Sequence, residues 1–142
     1  MRWFAVVLLP LVMMPLSSQI RATDDERKWV ALPERMQEHM LANMRDHLLA
    51  IHEILVLMAD QDQEGAAEIA ENRLGMTSLK SHGAKHMAGF MPEGMRAAGT
   101  TMHRAASRFS LTAQEGDVPH SYAALAEVTA ACVACHAAYR IR

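Results

Sequence analysis

The chain has 142 residues, enough for one domain and little more. Hydrophobic residues make up 51% and charged residues 21%, a balance that suits a packed core and excludes a disordered chain. The formal net charge is −2, and no basic cluster is present, which argues against nucleic-acid binding. Ala, Leu, Met and Glu are common in the body of the chain, and such side chains lose little rotamer freedom in a helix. The composition therefore predicts an all-α fold.

The first residues have the layout of a secretory signal peptide. Arg2 supplies a positive charge, and an apolar stretch and then small residues follow it. The apolar stretch is shorter than the ~20 residues that span a bilayer. We therefore predict that residues 1–22 are a signal peptide cleaved between Ser18 and Ala22. Residues 23–142 are predicted to form one periplasmic domain, with no later apolar run long enough to span a membrane.

Four predicted helices are separated by clusters of Gly, Pro and Asp. They run from about Pro33 to Asp60, from Glu64 to Lys85, from Pro92 or Glu93 to Gln114, and from His120 to Tyr139. Helices of comparable length joined by short connections predict an antiparallel up-down-up-down four-helix bundle.

Each predicted helix has an apolar face, and on the first helix the spacing alternates between three and four, as in a core seam. This seam contains Leu41, Met44, Leu48, Ile51, Leu55 and Met58. The faces of the other three helices contain Ala67, Ala70, Leu74 and Leu79; Met95, Ala98, Met102, Ala105 and Phe109; and Tyr122, Leu125, Val128, Cys132, Cys135 and Tyr139.

The motif that carries chemistry is C-x-x-C-H, which here spans Cys132 to His136. Each thiol can add across a haem vinyl group to form a thioether, and the histidine then ligates the iron. This pattern is the sequence signature of c-type haem attachment. We predict one covalent haem c, held through Cys132 and Cys135, with His136 as the proximal axial ligand.

Three other interpretations of the cysteine pair are weaker. A thioredoxin-like redox pair needs a strand–turn–helix setting, and the sequence has no strand-like runs. A structural zinc site needs four protein ligands, and the chain has no second cysteine pair. A disulfide between residues this close would restrain almost no loop and so stabilise little.

The end of the chain also resembles cytochrome c-prime. Cys135-His136-Ala137-Ala138-Tyr139-Arg140 is similar to that family's C-H-x-x-aromatic-basic ending, near the end of a fourth predicted helix. The resemblance implies a four-helix bundle and a sixth-ligand position a few turns into the first helix. Some members have a Met ligand there, and others leave the iron five-coordinate. The resemblance also implies dimerisation through the first helix, so a homodimer is one option.

In an up-down-up-down bundle, the end of the fourth helix lies beside the start of the first and the second connection. The Met and His residues expected at that end are Met36, His39, Met40, Met44, His82, His86, Met87, Met91 and Met95. Most of the methionines would simply fill gaps around a flat cofactor. Met44 is the predicted sixth ligand because it lies on the seam, and Met40 is the fallback. If Leu41 faces the iron instead, the site has no sixth ligand.

The remaining histidines carry a weaker signal. His82-x-x-x-His86 has the spacing of two ligands on one helical face, but two ligands are too few for zinc. The other histidines are predicted to be exposed or satisfied polar residues, namely His39, His47, His52 and His103.

These residues predict a protein that is not an enzyme but a carrier of single electrons, with a redox partner that the sequence does not identify. Two alternatives stay open. One is binding of nitric oxide or another small gas at a five-coordinate haem. The other is a haem-free helical protein that binds copper through Met and His, because thioethers suit Cu(I).

Overall fold

The computed structural model describes residues 25–142, so the predicted signal peptide and its cleavage region lie outside the described residues. Helices account for 78% of the described residues, which confirms the all-α prediction. The elements are β1 (Lys28–Trp29), α1 (Glu34–Ala59), α2 (Gln63–Ile69), α3 (Ala84–Met87), α4 (Glu93–Gln114), α5 (Val118–Ala138) and β2 (Tyr139–Arg140). A π-helical turn at Ala70–Leu74 and 3-10 turns at Met76–Leu79 and Ala88–Phe90 lie between α2 and α4.

The three long helices, α1, α4 and α5, agree with the predicted first, third and fourth helices to within two residues at each end. Pro33 precedes α1 with an extended ψ of 144°. The proline ring suits this position because the first helical turn needs no backbone donor there. Asp117 caps α5, and its carboxylate accepts a hydrogen bond from the His120 backbone N–H at 3.1 Å. Residues next to the helix starts were therefore sufficient to predict where α1 and α5 begin.

The prediction of one continuous second helix is wrong. After the π-helical turn, Gly75 has an extended backbone with φ −72° and ψ −177°, which ends the helix. The Ser78 hydroxyl donates a hydrogen bond to the Gly75 carbonyl at 2.7 Å. This side chain therefore satisfies a carbonyl that would accept from a backbone N–H if the helix continued. Gly83 then takes the left-handed conformation with φ 64°, and α3 begins after it.

The buried face of α1 differs from the predicted seam at every other position, where the buried residue lies one residue earlier in the chain. His47 exposes 8% of its surface, whereas the neighbouring Leu48 exposes 72%. The buried or half-buried seam is Met40, Met44, His47, Ile51, Ile54 and Met58, which shares only its second, fourth and sixth members with the prediction. The predicted seam followed hydrophobicity alone. Because leucines lie beside the buried seam and a histidine lies within it, hydrophobicity favoured the wrong face of α1.

Two groups of buried apolar side chains form the core. The larger group lies between α1, α2, α4 and α5 around Ile54, Phe109 and Val128, each with no exposed surface. Alanines fill much of the remaining space in this group and allow the helices to approach closely. The smaller group lies at the other end of α1, around Met40 and Met87. It also contacts side chains from the end of α5 and β2, and so it positions the C-x-x-C-H motif.

The sequence reading predicted no strand, but β1 and β2 form a short parallel pair. Lys28 lies opposite Tyr139, and Trp29 lies opposite Arg140. The Val30 N–H donates to the Arg140 carbonyl at 2.8 Å. The guanidinium of Arg140 also lies 5.2 Å from the centre of the Trp29 ring, within the range of a cation–π contact. These contacts hold the segment before α1 against the segment that follows the motif.

Contrary to the expected absence of a second apolar run, α5 is long and apolar enough to cross a membrane, judged by length and composition only. Eight of its residues are alanines. Mostly buried core helices of soluble proteins pass the same test, but only 22% of the α5 window is buried, with Leu125 and Val128 among its buried residues.

Candidate functional site

The C-x-x-C-H motif occupies the last turns of α5. Cys132 and Cys135 are half-buried, whereas His136 is exposed, and both thiols are free. Burial raises the pKa of the Cys132 thiol, and the charge of Cys135 adds to that effect. Burial also raises the pKa of the Cys135 thiol. A redox-active C-x-x-C pair instead depends on a lowered thiol pKa, so these cysteines do not have the electrostatics of a thioredoxin-like centre.

A cavity of about 640 Å³ opens beside the motif. Its volume lies within the ~300–1,000 Å³ that is usual for cofactor and small-molecule sites. Cys135, His136 and Tyr139 contribute to one wall. Methionines contribute much of the rest, namely Met40, Met44, Met87, Met91, Met95 and Met102. The space is therefore largely apolar, with a thiol and an imidazole at its edge.

A second cavity of about 300 Å³ adjoins the first, and Cys132 lies in its wall. The two cavities share wall residues, among them Met44, Cys135 and His136. Gly99 on α4 also borders both cavities, and a Cβ at this position would meet no atom within 4 Å. A flat group attached to both cysteines thus has open space on the side that faces α4.

The two candidate sixth ligands lie one turn apart on the seam of α1. Met40 is 9% exposed and belongs to the smaller core group. Met44 is half-buried, packs against the same group, and borders both cavities. Leu41 lines the larger cavity as well. The structure therefore brings Met40 and Met44 to the motif's end of the molecule, while the choice between them stays a prediction.

Side chains from α1 fix the segments that border the larger cavity. The Gln37 side-chain amide donates to the Ile141 carbonyl, which ties α1 to the residues after β2. The Asn43 amide donates to the His82 carbonyl at 3.1 Å, and the His39 Nε2 donates to the same carbonyl at 2.9 Å. These bonds anchor the irregular stretch between α2 and α3 to α1.

A cluster of three buried histidines lies in the wall of the larger cavity, and the sequence reading missed it. His47, His82 and His103 are 8%, 9% and 8% exposed. Their ring centres are 4.8 Å apart for His47 and His82, 5.4 Å for His82 and His103, and 6.0 Å for His47 and His103. We refer to these residues as the histidine cluster.

The predictions for individual histidines have mixed outcomes. His52 is exposed, and His39 is exposed and hydrogen-bonded, as expected. His103 is hydrogen-bonded but buried. The prediction for His47 is wrong because His47 is buried and its Nε2 has no partner among the described residues. His86 is exposed, so the predicted spacing partner of His82 lies outside the histidine cluster.

Burial favours the neutral form of all three rings in the histidine cluster. It lowers the pKa of His47 to about 4, and the charges of His82 and His103 add to that effect. Burial is also the main cause of the lowered pKa of His82 and of His103. Within residues 25–142, no group of three or more His, Cys, Asp and Glu side chains could hold a metal ion.

No protein-family model, no curated protein and no solved structure matches the chain. The residues around the two cavities, and their chemistry, are therefore what indicates a function.

Proposed function

We propose that this chain is a periplasmic mono-haem c-type cytochrome of the c-prime type, which transfers single electrons. The observation that carries the proposal is that both cysteines and His136 border adjoining, Met-rich cavities. The proposal includes an antiparallel four-helix bundle, in which the broken stretch from α2 to α3 replaces one regular helix.

The donor groups suit a covalently attached haem. Cys132 and Cys135 are free thiols on one helix, so each is available for a thioether. His136 follows directly and offers an imidazole as proximal ligand. Met44, or Met40 as the fallback, would supply a thioether as the sixth ligand. When bound, the haem supplies one-electron chemistry through ferric and ferrous iron, with a potential that depends on axial ligands and burial.

The other residues would control the environment of the iron. The methionines of the smaller core group would adapt to the irregular surface of a bound cofactor. The β1–β2 pair holds the chain that follows His136 in place. An apolar surround and a thioether ligand would both favour the reduced iron. A bound thioether would also occupy the position that a gas needs, which favours electron transfer over gas binding.

Covalent attachment is the first test of the proposal. The chain should be exported in a host that attaches haem c and then extracted with acid–acetone. We expect the haem to remain with the protein, and mass spectrometry should give the mature chain plus one haem, with no thiol open to alkylation. The Cys132→Ser/Cys135→Ser variant is the matched control and should release any haem it holds. Two alkylatable thiols in the unmodified protein would overturn the proposal and leave the haem-free copper alternative.

The proximal ligand is a separate test. His136→Ala leaves both thioethers available but removes the axial nitrogen. We expect a changed absorption spectrum and a shifted reduction potential, because the axial ligands set both. His120→Ala changes an exposed histidine on the same helix and should leave the spectrum unchanged. A His136→Ala spectrum identical to that of the unmodified protein would assign the proximal position to another residue.

A further inference from the structure

We propose that Lys85 and Arg96 form a subsite at one edge of the larger cavity that binds the carboxylate groups of an apolar molecule. For the haem proposed above, these groups are its two propionates. The identity of the ligand therefore rests on the proposed function, whereas the subsite itself is built from residues of this chain.

The charged residues that line the larger cavity are all basic. In the whole chain, the 16 acidic residues outnumber the 14 Lys and Arg residues. No Asp or Glu of residues 25–142 lines the cavity, whereas five basic residues do, namely Arg27, Lys85, Arg96, Arg140 and Arg142. Positive charge beside an apolar cavity attracts an anion, because the low-dielectric walls concentrate the field. The cavity therefore favours an occupant that is apolar and negatively charged.

Lys85 and Arg96 have no carboxylate partner within the part of the chain that the structure describes. Arg27 and Arg140 differ in this respect, because both pair with Asp25, at 2.7 Å and 3.4 Å. The positive charges of Lys85 and Arg96 are therefore not neutralised by a neighbouring acid, and both side chains can bind an anion that enters the cavity.

Hydrogen bonds fix the Arg96 guanidinium at the edge of the cavity. Its Nη1 donates to the Ala88 carbonyl at 3.2 Å and to the Met91 carbonyl at 2.8 Å. Lys85 lies three residues before Ala88, about one helical turn away, so both cations belong to the same edge. The two bonds use a single nitrogen of Arg96. Its Nε and Nη2 remain available for the two oxygens of one carboxylate, which is the bidentate geometry that arginine favours.

The subsite lies away from the helix that carries the cysteines. Lys85 belongs to α3 and Arg96 to the first turn of α4, and both line the larger cavity only. Cys132 lines the second cavity only, and Cys135 borders both. In haem, the two vinyl groups lie on two pyrrole rings and the two propionates on the other two. A haem held through both cysteines therefore needs an anion-binding subsite away from them, and Lys85 and Arg96 supply one.

The test follows the ionisation of the haem propionates by proton NMR in the exported protein that carries haem. A carboxyl of this type normally has a pKa near that of Glu, about 4.3, and a cation beside it lowers that pKa by about 1–3. Lys85→Gln and Arg96→Gln should therefore each raise the pKa of at least one propionate by about 1. A redox titration should also show the equilibrium shifted at least about twofold toward ferric iron, because a nearby cation favours the less positive ferrous form.

Lys80→Gln and Arg104→Gln are the matched controls, because they remove exposed cations that do not line the cavity. They should leave the propionate pKa values unchanged. The histidine cluster also lines the cavity, but it is present in every variant, so its titration is common to all of them. Unchanged pKa values in Lys85→Gln and Arg96→Gln, in a protein that carries haem, would overturn the subsite but not the proposed function. Equal shifts in the control variants would also overturn it, because they would show an effect of net charge alone.

A chain exported without haem would contradict the proposed function and leave a direct test of the subsite. Calorimetry with laurate, an apolar chain with one carboxylate, measures binding to the same cavity. We then expect one site, weakened by about tenfold in Lys85→Gln and in Arg96→Gln, because each variant removes a charged hydrogen bond. No binding of laurate to the chain without haem would overturn the subsite as well.

Discussion

Met40 and Met44 differ in their surroundings, although both lie on the seam of α1. Met40 is nearly buried among the apolar side chains of the smaller core group. Met44 is less buried and borders both cavities, including the one that Cys132 lines. A sulfur that ligates the iron of a haem held through both cysteines has to reach the space next to both cavities. Met44 therefore remains the preferred sixth ligand.

Met44→Ala should open the sixth position of the iron. We expect the spectrum to shift toward high-spin, the reduction potential to fall, and carbon monoxide to bind faster, because His/Met ligation raises the potential and a bound thioether must leave first. Absorption spectra and a redox titration of the variant and the unmodified protein measure these changes.

Met40→Ala is the matched control for this substitution. It removes a buried side chain of the same type one turn away, so it should lower the free energy of unfolding by about 2–5 kcal/mol but leave the ligation intact. An unmodified protein that is already high-spin and binds gas rapidly would show that neither methionine is a ligand. Gas binding would then replace electron transfer as the preferred function.

The stretch between α2 and α3 owes its shape to glycine backbone conformation. Gly83 has φ 64°, and a Cβ there would lie 3.0 Å from the His39 Nε2. This residue directly follows His82, whose carbonyl is held by α1. A regular helix through this stretch would move His82 away from His47 and His103, so the broken helix is what assembles the histidine cluster.

Gly83→Ala should destabilise this stretch. A left-handed conformation costs an L-residue about 1–2 kcal/mol, and the contact with the His39 ring adds to the cost. We therefore expect urea denaturation to give a free energy of unfolding lower by at least about 1 kcal/mol. Gly89→Ala, in the 3-10 turn that follows α3 and with open space around its Cβ, should not lower the stability. Equal losses from both variants would contradict this explanation.

At the scale of the whole molecule, the histidine cluster links stability to pH. The pKa of His47 is lowered from 6.5 to about 4 in the folded protein. His82, His103, Asp46 and Arg73 are the charged and titratable groups that act on it. Between pH 6.5 and 4 the unfolded chain therefore binds more protons than the folded chain does, so stability falls as pH falls through this window.

The expected loss is about 3 kcal/mol from His47 alone, because one pKa unit corresponds to about 1.4 kcal/mol. Urea denaturation in EDTA at several pH values measures it. His47→Gln should weaken the dependence between pH 6.5 and 4, with His82 and His103 accounting for what remains. His52→Gln, at an exposed position on the same helix, should keep the full dependence. A flat dependence in the unmodified protein would mean that His47 is not held neutral.

Much of this molecule follows from neighbouring residues in the sequence. Pro33 and Asp117 mark the starts of α1 and α5, because caps act within one turn. The C-x-x-C-H pattern places two thiols and an imidazole within five consecutive residues of one helix, so no long-range contact is needed to bring them together. The all-α class and the residues of the motif were therefore predictable from sequence alone.

Tertiary packing decided the rest. Apolar residues on α1 support two rotations that share Met44, Ile51 and Met58, and only contacts with the other elements select the one that buries His47. The members of the histidine cluster come from α1, from the turn before Gly83 and from α4, far apart in the chain. No local periodicity relates them. Their proximity arises because α1 and α4 pack around a helix broken at Gly75 and Gly83, so it could not be predicted from the sequence.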